Sequence, residues 1–404
     1  MKAGIIAIAS SFALVGCTST TAPQIDVPAP HGAVHEPTLR RAYLADDGVI
    51  RWRDDDSEVR VFGANYALPS SGDFRAAGYL TDDRYALVDQ DFAHFARMGW
   101  NGLRVAFWGD WQNADMQGNL IENEHLDLVD YIIARARERG IYILFNPIHT
   151  YNAGWPDSMG ASFPGFAAHM DKGILGTDSA AIAAQVNYVR QILEHVNAYT
   201  GTRLADEPSI LFVEMINEPT HHPEDVEQSI DYIDALVGAV RDAGSRAITF
   251  HNVSQDFRIA EAIRRSSVQG ASFGWYPAGL VSGSELRGNH LRAVEDYPPM
   301  RMAELEGMPR LVYEFDSADQ VTGTMYPAMA REFARHGHAG TRSSSSSTAS
   351  RSSWSRATSR SASRPGAGGT PPTTTSPHAR RGRRGRRERR GLASGRRPRR
   401  LAFR

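Results

Sequence analysis

The stretch Ile210-Leu211-Phe212-Val213-Glu214-Met215-Ile216-Asn217-Glu218-Pro219 is apolar with a single interruption and then turns polar at its end. A strand with one solvated face alternates apolar and polar residues. A continuously apolar one is buried on both faces, as in a parallel sheet covered by helices. Ile141–Phe145 reads the same way. Working outward, strand-like runs occur at Val59–Tyr66, Gly102–Trp108, Ile141–His149, Ile210–Glu218, Ala247–Ser254, Val268–Tyr276 and Leu311–Asp316. Amphipathic stretches lie between them, at Arg84–Met98, Asn123–Arg139, Ala180–Tyr199, Glu224–Ala243, Asp256–Arg265 and Met325–His336. In the second of these Leu126, Val129, Ile132, Ile133 and Ala136 recur at helical spacing.

Seven β-then-α units predict a (β/α)8 barrel rather than an open doubly wound sheet. No Gly-x-Gly-x-x-Gly or phosphate loop follows the first strand, which counts against a nucleotide fold. Polar and aromatic residues gather where each strand ends: Asn65-Tyr66, Arg104 with Trp108, Asn146 with His149, Asn217-Glu218, His251-Asn252, Trp275-Tyr276, and Glu314 with Asp316. In a barrel these ends share one face, the face on which chemistry is built.

Composition narrows the chemistry. The chain has 404 residues, 41% of them hydrophobic, enough for a large core. Its one cysteine excludes a disulfide framework and any multi-cysteine metal centre. The net charge of −1 conceals a division. Residues 341–404 hold 18 Arg and one acid, a balance of +17, which leaves −18 on the preceding 340 residues. Two acids stand out in the acidic body. Glu218 ends the fourth strand and Glu314 the seventh, 96 residues on, or three βα units of about 32 residues each. Strands four and seven face each other across the mouth of an eight-stranded barrel. Two carboxylates placed there suit glycosidic bond cleavage, by a retaining route if they stand about 5–5.5 Å apart.

The motifs around these acids resemble a known family. Asn217-Glu218-Pro219 after an apolar strand resembles the signature of the retaining barrel glycosidases that include glycoside hydrolase family 5, the cellulase and mannanase family. Gly99-Trp100-Asn101-Gly102-Leu103-Arg104-Val105 and Phe145-Asn146-Pro147-Ile148-His149 are similar to its second and third strands. The resemblance covers roughly Val59 to His336. It implies Glu218 as general acid/base, Glu314 as nucleophile, Arg104 as the group that keeps Glu314 ionised, Asn217 at the sugar 2-hydroxyl and His149 lining the subsite. Tyr276 is then a hydrogen-bond donor to the nucleophile, and Asn65 a further polar residue of the mouth. Trp108, Trp111, Tyr151, Trp155 and Trp275 follow strand exits and offer aromatic faces to sugar rings, Trp275 first; some of these rings will be core. One departure is marked: the family's His-x-Tyr of the sixth strand is here Gly274-Trp275-Tyr276. No cofactor is implied, and His221-His222 do not match a zinc spacing. The long stretch Thr150–Thr177 reads as a lid narrowing the cleft.

The ends of the chain read differently. Lys2, an apolar run Ile5–Val15 and Leu14-Val15-Gly16-Cys17 resemble a bacterial lipoprotein signal with its lipobox, which makes Cys17 the lipidation site. Residues 18–40 are a Thr/Pro/Ala-rich tether and 41–340 the barrel. This predicts a cell-envelope protein on the outer membrane, attached by lipid and acting on a carbohydrate partner, with no nucleic-acid partner expected. Residues 341–404 are low-complexity Arg and Ser. With 43 Arg and two Lys in the chain, a GC-rich coding sequence read in a shifted frame from about residues 337–342 accounts for them, at the cost of the eighth strand. A natural disordered tail that binds nucleic acid or anionic surfaces by counterion release is the alternative. The leading expectation is therefore a retaining β-glycoside hydrolase; a non-catalytic carbohydrate-binding barrel lipoprotein is the alternative.

Overall fold

The computed structural model describes residues 38–66, 81–150, 162–276, 291–295, 301–315 and 325–336. Cys17, tether residues 18–37, Tyr151, Trp155, Asp316 and the Arg-rich segment fall outside them. In chain order the strands are β1 (Ala42–Leu44), β2 (Ile50–Trp52), β3 (Gly63–Tyr66), β4 (Gly102–Ala106), β5 (Tyr142–Asn146), β6 (Ile210–Glu214), β7 (Ile248–Ser254), β8 (Gly270–Trp275) and β9 (Arg310–Phe315). The α-helices are α1 (Arg84–Met98), α2 (Gly109–Gln112), α3 (Glu124–Glu138), α4 (Phe166–His169), α5 (Ser179–Glu194), α6 (Val226–Asp242), α7 (Ala260–Arg265), α8 (Leu291–Val294) and α9 (Met325–His336).

Strands β3 to β9 form one parallel sheet in sequence order, and β3 returns close to β9. The result is a nearly closed barrel of the (β/α)8 type, with seven strands among the described residues. Every residue of β4, β5 and β6 is buried, the polar Arg104, Asn146 and Glu214 included, as in a parallel sheet covered on both faces. Polar caps start the helices where the apolar period begins. The Asn123 side chain accepts from the backbone N–H groups of His125 and Leu126, Asp178 from Ala180 and Ala181, and Asp225 from Gln228. Gly99 closes α1 in the left-handed conformation, φ 69°, which a side chain would strain.

The hairpin β1–β2 is not among the expected strands, because three-residue strands carry too little periodicity to read. Trp52 packs on Tyr142 at the first residue of β5, ring centroids 4.9 Å apart, so the hairpin sits at the end of the barrel opposite the strand exits. Helix α5 stops at Glu194 rather than Tyr199. His195 turns extended there and its ring bonds Asp130, Nε2 to Oδ2 2.8 Å. The stretch Asp256–Arg265 divides into a 3-10 turn, Phe257–Ile259, and the short α7.

Candidate active site

The strand exits of β3 to β6 meet at Arg104, in the middle of β4, 1% exposed. Its Nε donates to Glu214 Oε2 at 2.7 Å and its Nη2 reaches the same oxygen. Nη2 also donates to Asn217 Oδ1 at 2.8 Å, and Nη1 to Asn65 Oδ1 at 3.2 Å. Glu214, the last residue of β6, receives Asn252 Nδ2 at 3.0 Å and the Ser272 hydroxyl on its other oxygen. Burial raises the Glu214 pKa, and the charge of Arg104 is the largest influence opposing it. Arg104 was expected to support Glu314. Its hydrogen-bonded carboxylate is Glu214, and the Glu314 charge acts on it through space as a smaller influence. Glu214 is the last residue of β6 and sits beside Arg104, whereas Glu218 lies past the strand end.

Glu218 follows in a left-handed backbone conformation, φ 41°, unusual for a non-glycine residue. It is half-buried, and the Tyr313 hydroxyl donates to its Oε1. Tyr313 immediately precedes Glu314 on β9, so one phenol links the exit of β6 to the residue beside the second acid. The guanidinium of Arg104 lies over the Tyr313 ring, 4.4 Å from its centre. Burial, and then the nearby Glu218 and Glu314 charges, push the phenol well above its ordinary value of 10. Glu314 itself is half-buried and pairs in register with Gly274 on β8.

Around this centre the β5 exit is held by a second buried carboxylate. Asp110 on α2 accepts from the backbone N–H of His149 at 3.1 Å and of Thr150 at 2.9 Å. Burial lifts its pKa to about 7. Thr150 adopts φ 68°, a strained value for a β-branched residue, and its hydroxyl donates to the Asn217 carbonyl at 3.0 Å. The His149 ring stacks on Trp108, 4.0 Å between centroids. Burial, and then the charge of Arg104, push the imidazole pKa down to about 3, so it is neutral in working conditions. Lys172, in the 3-10 turn Lys172–Ile174, is within electrostatic reach of Glu218; burial lowers its pKa to about 8 against that pull.

The structure thus gathers Asn65, Arg104 and Asn217 into one bonded set, bonds Glu218 to Tyr313, joins Trp108 to His149, and carries Glu314 beside Tyr313 in the chain. Tyr276 is half-buried and near enough to Tyr313 for its charge to act on that phenol. Trp275 differs from expectation. It keeps 8% of its surface, and its ring meets Phe333 on α9 at 5.5 Å. That contact puts the ring against the helix layer, as core. Among the described residues no three His, Cys, Asp or Glu side chains converge to hold a metal ion. Glu214, Tyr313, Asp110 and Lys172 went unread in the sequence. Glu214 had a signal, as the lone charge inside Ile210–Ile216. Lys172 had a weaker one, as one of two lysines in a chain of arginines.

The family model for cellulase (glycosyl hydrolase family 5) matches residues 72–285, just over half of the chain. The chain belongs to glycosyl hydrolase family 5. The match takes in Arg104, Asn217 and Glu218 and ends before Glu314. A putative mannan endo-1,4-beta-mannosidase 5 from Oryza sativa subsp. japonica is 22% identical over 321 residues, covering 68% of this chain and 64% of that protein. The chain therefore spans just under two thirds of the length of that relative. Among solved structures, the endo-1,4-beta-mannanase from Rhizomucor miehei superposes with a TM-score of 0.53 at 15% identity, covering 78% of this chain and 90% of the other. A hyperthermostable endo-1,4-beta-D-mannanase from Thermotoga petrophila RKU-1 gives 0.53 at 16% identity, over 74% and 88%. At such identities these two report the fold.

Proposed function

We propose that this protein hydrolyses β-linked polysaccharide or oligosaccharide with retention of configuration, using Glu218 as acid/base and Glu314 as nucleophile. The observation that carries the reading is the Tyr313 hydroxyl bonded to Glu218, because Tyr313 is the chain neighbour of Glu314. The charges of Glu218 and Glu314 both act on that phenol, which supports the reading in a family whose chemistry needs a carboxylate pair.

In the first step Glu218, protonated, gives its proton to the glycosidic oxygen while Glu314, ionised, attacks the anomeric carbon. The aglycone leaves and a glycosyl ester forms. In the second step Glu218, now a carboxylate, takes a proton from water, which displaces Glu314 and restores both groups. Asn217, fixed by Arg104 on one side and by its own N–H to the Ile148 carbonyl at 2.7 Å, is held as a polar contact for a sugar hydroxyl. Neutral His149 on Trp108 offers a flat polar wall without a competing charge. Mannan-degrading relatives make a β-1,4-mannan the first substrate to try.

A 2-deoxy-2-fluoro glycoside of the cleaved sugar slows breakdown of the ester and should label the peptide containing Leu311–Asp316 at Glu314. Label on Asp316 or Asp319 moves the assignment, and early product of inverted configuration removes the retaining mechanism. The reading extends to location. Cys17, in its lipobox context, is the proposed site of a lipid anchor. The Cys17→Ser protein should leave the detergent phase on partitioning; retention there removes the anchor.

A further inference from the structure

We infer that Tyr313 is a positioning residue for the acid/base: its hydroxyl occupies Oε1 of Glu218 and so assigns the catalytic proton to Oε2. This rests on the reading of Glu218 given above. A phenol has one donor hydrogen, and Tyr313 points it at Oε1. An oxygen that accepts that bond is a poor place for the carboxyl proton, which then resides on Oε2, the oxygen left to face the leaving group. In the second step the same bond stabilises the carboxylate that has to receive a proton from water. Tyr313 contributes to both half-reactions without touching the sugar.

The surroundings are built for this task. Tyr313 is fully buried, and the Arg104 guanidinium covers its ring. Arg104 is in turn fixed by Glu214 and Asn217, so the phenol has a rigid floor. Space for the hydroxyl is made on β8. A Cβ added to Gly274 would stand 3.3 Å from the Tyr313 oxygen and equally close to the Tyr276 ring. Gly274 is the position at which the family's histidine is missing, and the phenol of Tyr313 lies against it. The charged and titratable groups acting on the phenol are Glu218 from the β6 exit, Glu314 from its own strand, Arg104 from β4 and Tyr276 from the β8 exit. Glu218 has in addition Lys172 within electrostatic reach. Because burial keeps the phenol protonated, it donates at every pH at which the enzyme works.

The test is Tyr313→Phe in the full chain, which keeps the ring beneath Arg104 and removes the donor. With an oligosaccharide that the parent cleaves, kcat should fall about tenfold, and with a dinitrophenyl glycoside by much less, because a good leaving group needs little protonation. The alkaline limb of kcat/KM should move up by about one pH unit. A donor to a carboxylate favours its ionised form, so a variant without the donor should favour the protonated acid. A merely structural role leaves that limb in place. Parent-like kcat with an unmoved limb, or equal losses on both substrates with an unmoved limb, overturns the assignment. Should Tyr313→Phe fail to fold, Gly274→Ala, which crowds the hydroxyl from β8, should move the limb in the same direction, and an unmoved limb there overturns it too. Glu218→Ala measured alongside separates the two readings. If it retains parental activity on the oligosaccharide, the acid/base reading fails; if it is inactive while Tyr313→Phe behaves as parent, only the role of Tyr313 fails.

Discussion

The two sides of the barrel mouth are held by different forces. On the β4–β7 side the interior is polar and bonded. Arg104, Glu214, Asn217 and Asn252 interlock, with Ser272 reaching in from β8, and Asp110 and Thr150 fix the adjoining β5 exit. On the β8–β9 side the helix-facing layer is aromatic. Trp275 and Phe315 both pack on Phe333, the latter at 5.1 Å, and Tyr326 lies 6.1 Å from Phe315. Hydrogen bonds between buried groups fix direction, and apolar packing fixes volume. The proposed acid/base is thus supported by directional contacts and the strand of the proposed nucleophile by fit. Tyr313 crosses from the second region to the first.

The largest effect that separates the two regions is expected at Glu214. Glu214→Ala leaves the Arg104 guanidinium buried with its ion-pair partner gone and deprives Asn252 and Ser272 of their acceptor. Breaking a buried pair in this way costs about 3–5 kcal/mol. Chemical unfolding of the full chain should show that loss, together with loss of activity as Arg104 releases Asn217. Glu214→Gln keeps an acceptor for Asn252 and should recover part of the stability without restoring the ion pair. A loss near zero in both variants removes the claim that directional bonds support this half.

Much of the architecture was legible in the chain, and for physical reasons. Strands buried on both faces have no polar alternation to hide them, so Ile141–Phe145 and Ile210–Val213 announce a parallel sheet. Helices α1 and α9 begin and end at the residues that the amphipathic period marks. The site was half legible. Residues at strand ends are found by position alone, which is how Asn65, Arg104, His149, Asn217, Glu218 and Glu314 come to notice. Partners across the barrel are another matter. That Arg104 bonds Glu214, and that Tyr313 turns toward Glu218, depends on the register between strands, including irregularities between Ile143 and Leu144 and between Phe273 and Gly274. A sequence of apolar and polar residues carries no record of such shifts. Trp275 depends on register in the same way, since one step decides whether a ring faces the mouth or the helices, and its ring meets Phe333 on α9.

The smallest predicted effect concerns pH, and it again contrasts the regions. His221 and His251 lie behind the loop that carries Glu218, their rings 5.5 Å apart, and His221 Nε2 bonds the Val253 carbonyl at 3.2 Å. Burial lowers the His221 pKa to about 4 and that of His251 further, the latter also through His221. In the unfolded chain both titrate near 6.5. Below about pH 6.5 the unfolded state therefore binds protons that the folded state refuses, and stability falls as pH drops toward 4. His149, pushed down to about 3, adds in the same direction. Asp110 opposes them. With a folded pKa of about 7 against about 4 unfolded, it costs stability as pH rises across that window. Burial raises the carboxyls of Asp91 and Glu214 as well, in the same sense as Asp110; the three depressed histidines are expected to outweigh them, so the melting temperature of the full chain should rise between pH 4.5 and 6.5. His251→Phe removes one of the three and fills the same volume, and it should flatten that rise by about 2–4 °C, roughly 1 kcal/mol for a domain of this size. Phe333→Leu, on the aromatic side, carries no proton and should lower the melting temperature by the same amount at every pH. A parent curve that is flat or falls from pH 4.5 to 6.5, or a His251→Phe curve parallel to that of the parent, would show that the polar half does not set the acid limit of this fold.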